Sequence, residues 1–147
     1  MKLSILVFFV LLIVATSFDF NTFQFHVGNL KYFIDLPSLL IILIPTILFA
    51  IGSYSRETYV KTWSISFGNP ENCDQSELIE VNKCLNTMGN MSIVMGILGT
   101  LIGLILILQN FHNIGENLGP SLAVAIITLY YGFLFKALFM SASSKVE

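Results

Sequence analysis

Thr100 and Thr128 each place a hydroxyl inside a long run without charge, and Lys136 stands near the end of the second of these runs. The residues around them repeat at helical spacing. Ser92, Gly96, Gly99 and Gly103 fall on one face of a helix, with Thr100 at its margin. Ser121, Ala125, Thr128 and Gly132 recur at i, i+4, i+7 and i+11 and share a face of the next helix. Gly99 and Gly103 form a small-xxx-small pair, which lets two backbones approach closely in lipid. Such stripes serve helix packing, with hydroxyls bonded back to the preceding turn, or they line a pore or clasp another helix. Spacing leaves both readings open.

The acids are missing from these runs. Proteins that carry ions across a membrane usually hold a carboxylate within a span as relay, and no Asp, Glu or His lies inside any span predicted below. If the chain moves ions, the carboxylate comes from a partner. Lys136 either snorkels to the headgroups or pairs with a partner's acid on the cytoplasmic side. Cys73 and Cys84 lack a nearby His or third Cys for a zinc set and read as free thiols. His112 and Glu116 read as a solvated loop. No span carries a nucleophile–base pair or a metal cluster, so the sequence predicts neither an enzyme nor a metal site.

The elements that position these residues follow from composition. Of 147 residues, 55% are hydrophobic and 11% charged, and the mean hydropathy is +0.81. Soluble domains carry about 25% charged residues; here the expected solvent is a bilayer. A net charge of −2 without a basic run gives no reason to expect nucleic acid. A helix needs about 20 apolar residues to cross the hydrocarbon core. The charge-free runs therefore predict an all-α integral membrane domain over 1–147, with transmembrane helices at about 2–18, 36–54, 86–109 and 119–141. The first run, with Ala15, Thr16 and Ser17 behind it, also fits a cleavable signal peptide; the expectation is a retained span.

Six of the seven Lys and Arg residues lie at Lys2, at Arg56, Lys61 and Lys83, and at Lys136 and Lys145. This bias places both termini and residues 55–85 in the cytoplasm. Arg56–Phe67 either extends the second helix or lies at the interface, with Tyr59 and Trp63 at headgroup level, and 68–70 (Gly-Asn-Pro) ends it. Asp74 and Glu77 have capping-box spacing. Leu78, Val81, Leu85 and Met88 repeat behind them, so the third helix starts near residue 75 and runs into the membrane unbroken. Pro37 and Pro120 sit in first turns, and Pro45 predicts a kink.

Three stretches carry a resemblance. MGILGTLIG (95–103), GPSLAVAIITLYYG (119–132) and FIDLPSLL (33–40) resemble, in the same order, segments of the MotA/TolQ/ExbB proton channel family, nearest to its flagellar stator branch of the MotA type. The four-helix count fits that branch. The resemblance implies a homopentamer around a dimer of MotB- or ExbD-like single-span chains, whose transmembrane Asp carries H⁺ or Na⁺, in a bacterial inner membrane. It implies a rotary motor that turns ion flow into mechanical work, with no cofactor beyond the transported ion. Thr100 and Thr128 match threonines near the partner's Asp, and the small-residue faces would turn toward the partner. The chain departs from the stator branch in three ways. Residues 55–85 stand where that branch has a much larger cytoplasmic domain. Its prolines at the start of the third helix and after the fourth have no counterpart. Its sodium-type members have paired threonines where Thr128 is followed by Leu129. The competing expectation is a structural four-helix scaffold without ion flux.

Overall fold

Apolar runs with little Gly or Pro punctuation satisfy their backbone groups internally by winding into helices, as lipid demands. The computed structural model describes residues 2–19, 23–67, 74–111 and 115–146, with backbone alone for 2–9, 27, 67 and 116. Its helices are α1 (Lys2–Ser17), α2 (Leu36–Ser53), α3 (Arg56–Phe67), α4 (Gln75–Gln109) and α5 (Leu118–Ser143). Two-residue strands β1 (Phe18–Asp19) and β2 (Gln24–Phe25) follow α1, and 3-10 turns occupy Val27–Phe33 and Gly115–Asn117.

Among the described residues, α2, α4 and α5 are long and apolar enough to cross a membrane. The fourth span predicted from the sequence, at about 2–18, coincides with α1, which is shorter than these three. α1 has 16 residues and rises about 24 Å, short of a hydrocarbon core of about 30 Å. The predicted unbroken third helix is present: α4 has 35 residues. Residues 68–70, Cys73 and His112 lie outside the described residues.

The chain divides into two units, Met1–Leu36 and Pro37–Glu147. In the first, the strands pair antiparallel with Phe18 opposite Phe25 and Asp19 opposite Gln24. The His26 N–H donates to the Ser17 carbonyl oxygen at 2.8 Å, returning the chain to the end of α1. The following 3-10 turn lies beside the last turn of α1: Asn29, Tyr32 and Phe33 line one cavity with Ala15, Thr16, Phe18 and Asp19.

In the second unit, α4 and α5 pack closely along their length, and α3 folds back against α4. The core they share with the end of α2 and the C-terminal residues holds Ala50, Ile65, Val81, Cys84, Leu85, Met88, Phe139 and Val146, with Tyr59 and Trp63 packed at its edge. α3 is therefore a separate helix, not an extension of α2. Polar ties hold it in place. Lys61 Nζ lies 2.6 Å from Glu77 and 3.1 Å from Glu57. The Thr58 hydroxyl donates to Glu80 at 3.0 Å, and Lys145 Nζ reaches the Ile65 and Ser66 carbonyls at 3.2 Å. The Lys145 contact satisfies carbonyls that a helix end leaves without intrahelical partners.

The capping box expected at the start of α4 does not form. Asp74 has an extended backbone but makes no side-chain cap. Glu77 instead accepts from the Lys61 ammonium at 2.6 Å, a bond in which both partners carry charge. Cys84 is a buried free thiol. Pro45 lies within α2, whose helix continues on both sides of it, and the Thr46 hydroxyl that follows is buried without a hydrogen-bond partner.

Candidate functional site

The small-residue faces of α4 and α5 meet each other. A Cβ added at Gly99 would lie 2.6 Å from Thr128 Cγ2, and one at Gly103 would lie 2.9 Å from Ala125 Cβ. At Gly96 it would meet the Gly132 Cα at 3.0 Å, and at Gly132 the Ser92 carbonyl oxygen at 2.8 Å. Only hydrogen fits at these positions. Close approach at three successive levels, Gly132 with Ser92 and Gly96, Thr128 with Gly99, and Ala125 with Gly103, is the packing that small-xxx-small patterns permit without a hydrophobic drive.

The two threonines sit on this seam, one from each helix. The Thr128 hydroxyl donates to Ser38 Oγ of α2 at 3.0 Å, with the Val124 carbonyl 3.3 Å away as a second acceptor. Its side chain is closed in by α2 and α4, leaving the residue 3% exposed. The Thr100 hydroxyl is shared between the Gly96 carbonyl at 2.9 Å and the Ala125 carbonyl at 3.0 Å. Thr100 is half-buried. Its hydroxyl thus serves as glue between α4 and α5, while its oxygen lone pairs stay free to accept or to ligate.

Of the face expected to turn toward a partner, Ser92, Gly96, Gly99, Ala125, Thr128 and Gly132 are covered by the chain's own helices. Ser92 Oγ donates to the Gly89 carbonyl at 2.8 Å. Thr100, Gly103 and Ser121 stay half-open. The physical reason is that two complementary narrow faces on neighbouring helices bury most by meeting each other.

Lys136 lies across Gly89, where a Cβ would come within 3.0 Å of its Cδ. Its ammonium donates to Asn90 Oδ1 at 2.8 Å. Asn90 continues a row with Asn82 and Asn86 at four-residue steps on α4. Asn86 Nδ2 donates to Asn82 Oδ1 at 2.8 Å and reaches Ser143 Oγ at 3.2 Å; Ser143 also donates to Asn82. Sequence reasoning missed this ladder, although its i, i+4, i+8 spacing was a legible signal. It also missed Ser38, which lies 90 positions from the residue it serves.

Among the described residues no cluster of His, Cys, Asp and Glu could hold a metal. Residues 71–147, which include α4 and α5, match the family described as the MotA/TolQ/ExbB proton channel family. Motility protein A of Cereibacter sphaeroides is 43% identical over 54 residues, 36% of this chain and 21% of that protein. The chain thus aligns with about a fifth of the length of that relative. No solved structure matches.

Proposed function

The chain belongs to the MotA/TolQ/ExbB proton channel family, and from this premise we propose that it is a MotA-like subunit of an ion-driven rotary motor. The family is one of proton channels, not of enzymes. In this reading α1 is a fourth span, the membrane is a bacterial inner membrane, and both termini and residues 55–85 are cytoplasmic. Five copies surround two single-span chains of the MotB or ExbD kind, and ion flow past the partner's Asp turns one ring against the other. Thr100 and Thr128 serve the ion path, the glycines provide helix clearance, and Lys136 meets the partner at the cytoplasmic side. The transported ion is H⁺ or Na⁺.

The observation that carries the reading is a half-buried Thr100 on a helix pair whose transmembrane turns contain no acid. Such a seam offers an ion oxygen ligands but no site to titrate. The second reading, a scaffold without flux, is favoured by the internal bonds that already satisfy both threonine hydroxyls.

Purification of the complex, with its subunits counted by native mass spectrometry, tests the assembly. Five copies with two copies of an Asp-bearing single-span chain support the motor. A monomer, dimer or tetramer without such a chain rejects it. Ion flux in vesicles then separates motor from scaffold. Loss of one hydroxyl ligand to an ion costs about 1.5 kcal/mol, so Thr100→Val is expected to slow flux roughly tenfold. Unchanged function in Thr100→Val and Thr128→Val would leave only the scaffold.

A further inference from the structure

The segment after α1 is unusually aromatic: Phe18, Phe20, Phe23, Phe25, Tyr32 and Phe33 fall within sixteen residues, while the whole chain is 13% aromatic. Several of these rings point outward. Phe23 is 78% exposed, Phe25 63% and Tyr32 70%, and Ile34 beside them is 76% exposed. Soluble surfaces rarely gather large apolar side chains in this way.

The backbone fixes where these rings stand. The His26 N–H bond to the Ser17 carbonyl closes the hairpin onto the end of α1, so Phe25 returns to the level of Phe18, its partner across the ladder. Phe18 holds the hairpin together through edge contacts to Phe23 and Phe25, with ring centroids 6.0 and 5.2 Å apart. The 3-10 turn then places Tyr32 and Phe33 on the wall of a cavity that Ala15 and Thr16 also line. The rings are thus gathered at the last turn of an apolar helix, with Phe23, Phe25 and Tyr32 turned outward. Lys31 Nζ lies 5.0 Å from the Tyr32 ring centroid, giving the same patch a cation beside an aromatic face.

Aromatic side chains with a polar or cationic neighbour are characteristic of the headgroup layer, where one end of the group is apolar and the other wet. We propose that residues 18–19 and 23–34 form a collar that binds the lipid headgroup layer around the end of α1. The collar is continuous with the apolar helix it surrounds. The proposal does not depend on the motor reading, because a scaffold would need the same anchor.

The test uses the full chain in phosphatidylcholine vesicles. Trp63 is the single tryptophan, so Trp63→Phe removes the background and Phe25→Trp or Tyr32→Trp becomes the reporter. The expected result is blue-shifted emission, strong quenching by lipid carrying a nitroxide near the headgroup, weaker quenching by a nitroxide at the chain end, and little loss to iodide. Water-like emission quenched freely by iodide would overturn the collar. So would a reporter shielded from iodide and lipid nitroxides alike, which is the signature of cover by a second copy or another protein. If Trp63→Phe fails to insert, the same reporters in the Trp63 parent, read as the difference from that parent, decide between the same outcomes.

Discussion

Gly132 and Gly52 are both helical glycines, but their surroundings give opposite forecasts for the same substitution. At Gly132 a methyl group would press on the Ser92 carbonyl at 2.8 Å and the Gly96 Cα at 3.0 Å, and backbone atoms cannot swing aside. Around Gly52 a Cβ meets nothing within 4 Å. Gly132→Ala is expected to destabilise by about 1–3 kcal/mol through overpacking. Gly52→Ala is expected to stabilise by roughly 0.5–1 kcal/mol, the helix penalty that glycine carries relative to alanine. Thermal unfolding in detergent checks both signs. At this scale the stripes themselves were legible, because small residues at i, i+4 and i+7 have few other uses in a span. Their addressee was not. A face built for the next helix and a face built for a partner have the same periodicity, and only coordinates show Gly99 against Thr128. The Thr128–Ser38 bond was equally invisible, since helical spacing says nothing of residues 90 positions apart.

Between elements, the clearest device is the tie from α3 to α4. Lys61 has its pKa raised by its hydrogen bond to Glu77 first and to Glu57 second. A lysine whose folded value is raised contributes fully below its unfolded value, about 10.4, and loses the contribution as pH climbs through the folded one. The α3–α4 contact is therefore expected to hold from neutral pH to about 10 and to loosen beyond. Trp63 on α3 reports it: emission of the native chain should stay constant and then shift to the red, while Lys61→Met should start shifted at neutral pH. The start of α4 was legible in the sequence, because Asp74 and the apolar repeat behind it mark a helix beginning. The use of Glu77 was not, because its competitor Lys61 sits on another helix. The length of α1 was legible as well: the apolar run predicts a helix at about 2–18, and the helix runs Lys2–Ser17.

For the whole molecule, the family match covers residues 71–147, whereas the resemblance read from the sequence began at Phe33. The helices that pack most closely are those the match includes. Because their transmembrane turns contain no acid, vesicles holding this chain alone are expected to stay impermeable to protons. Conductance from the chain by itself would instead make it a self-sufficient transporter. α4 carries one more consequence. It is a single helix of 35 residues, gripped by α3 at Glu77 and Glu80 and by α5 at Gly96 and Gly99. At 3.6 residues per turn each residue advances the azimuth by about 100°. The two grips therefore fix each other's angular phase: inserting one residue between them would turn the glycines away from α5, whereas a near-whole-turn insertion of four would nearly restore their heading. The cytoplasmic clasp and the glycine seam are torsionally coupled along one shaft.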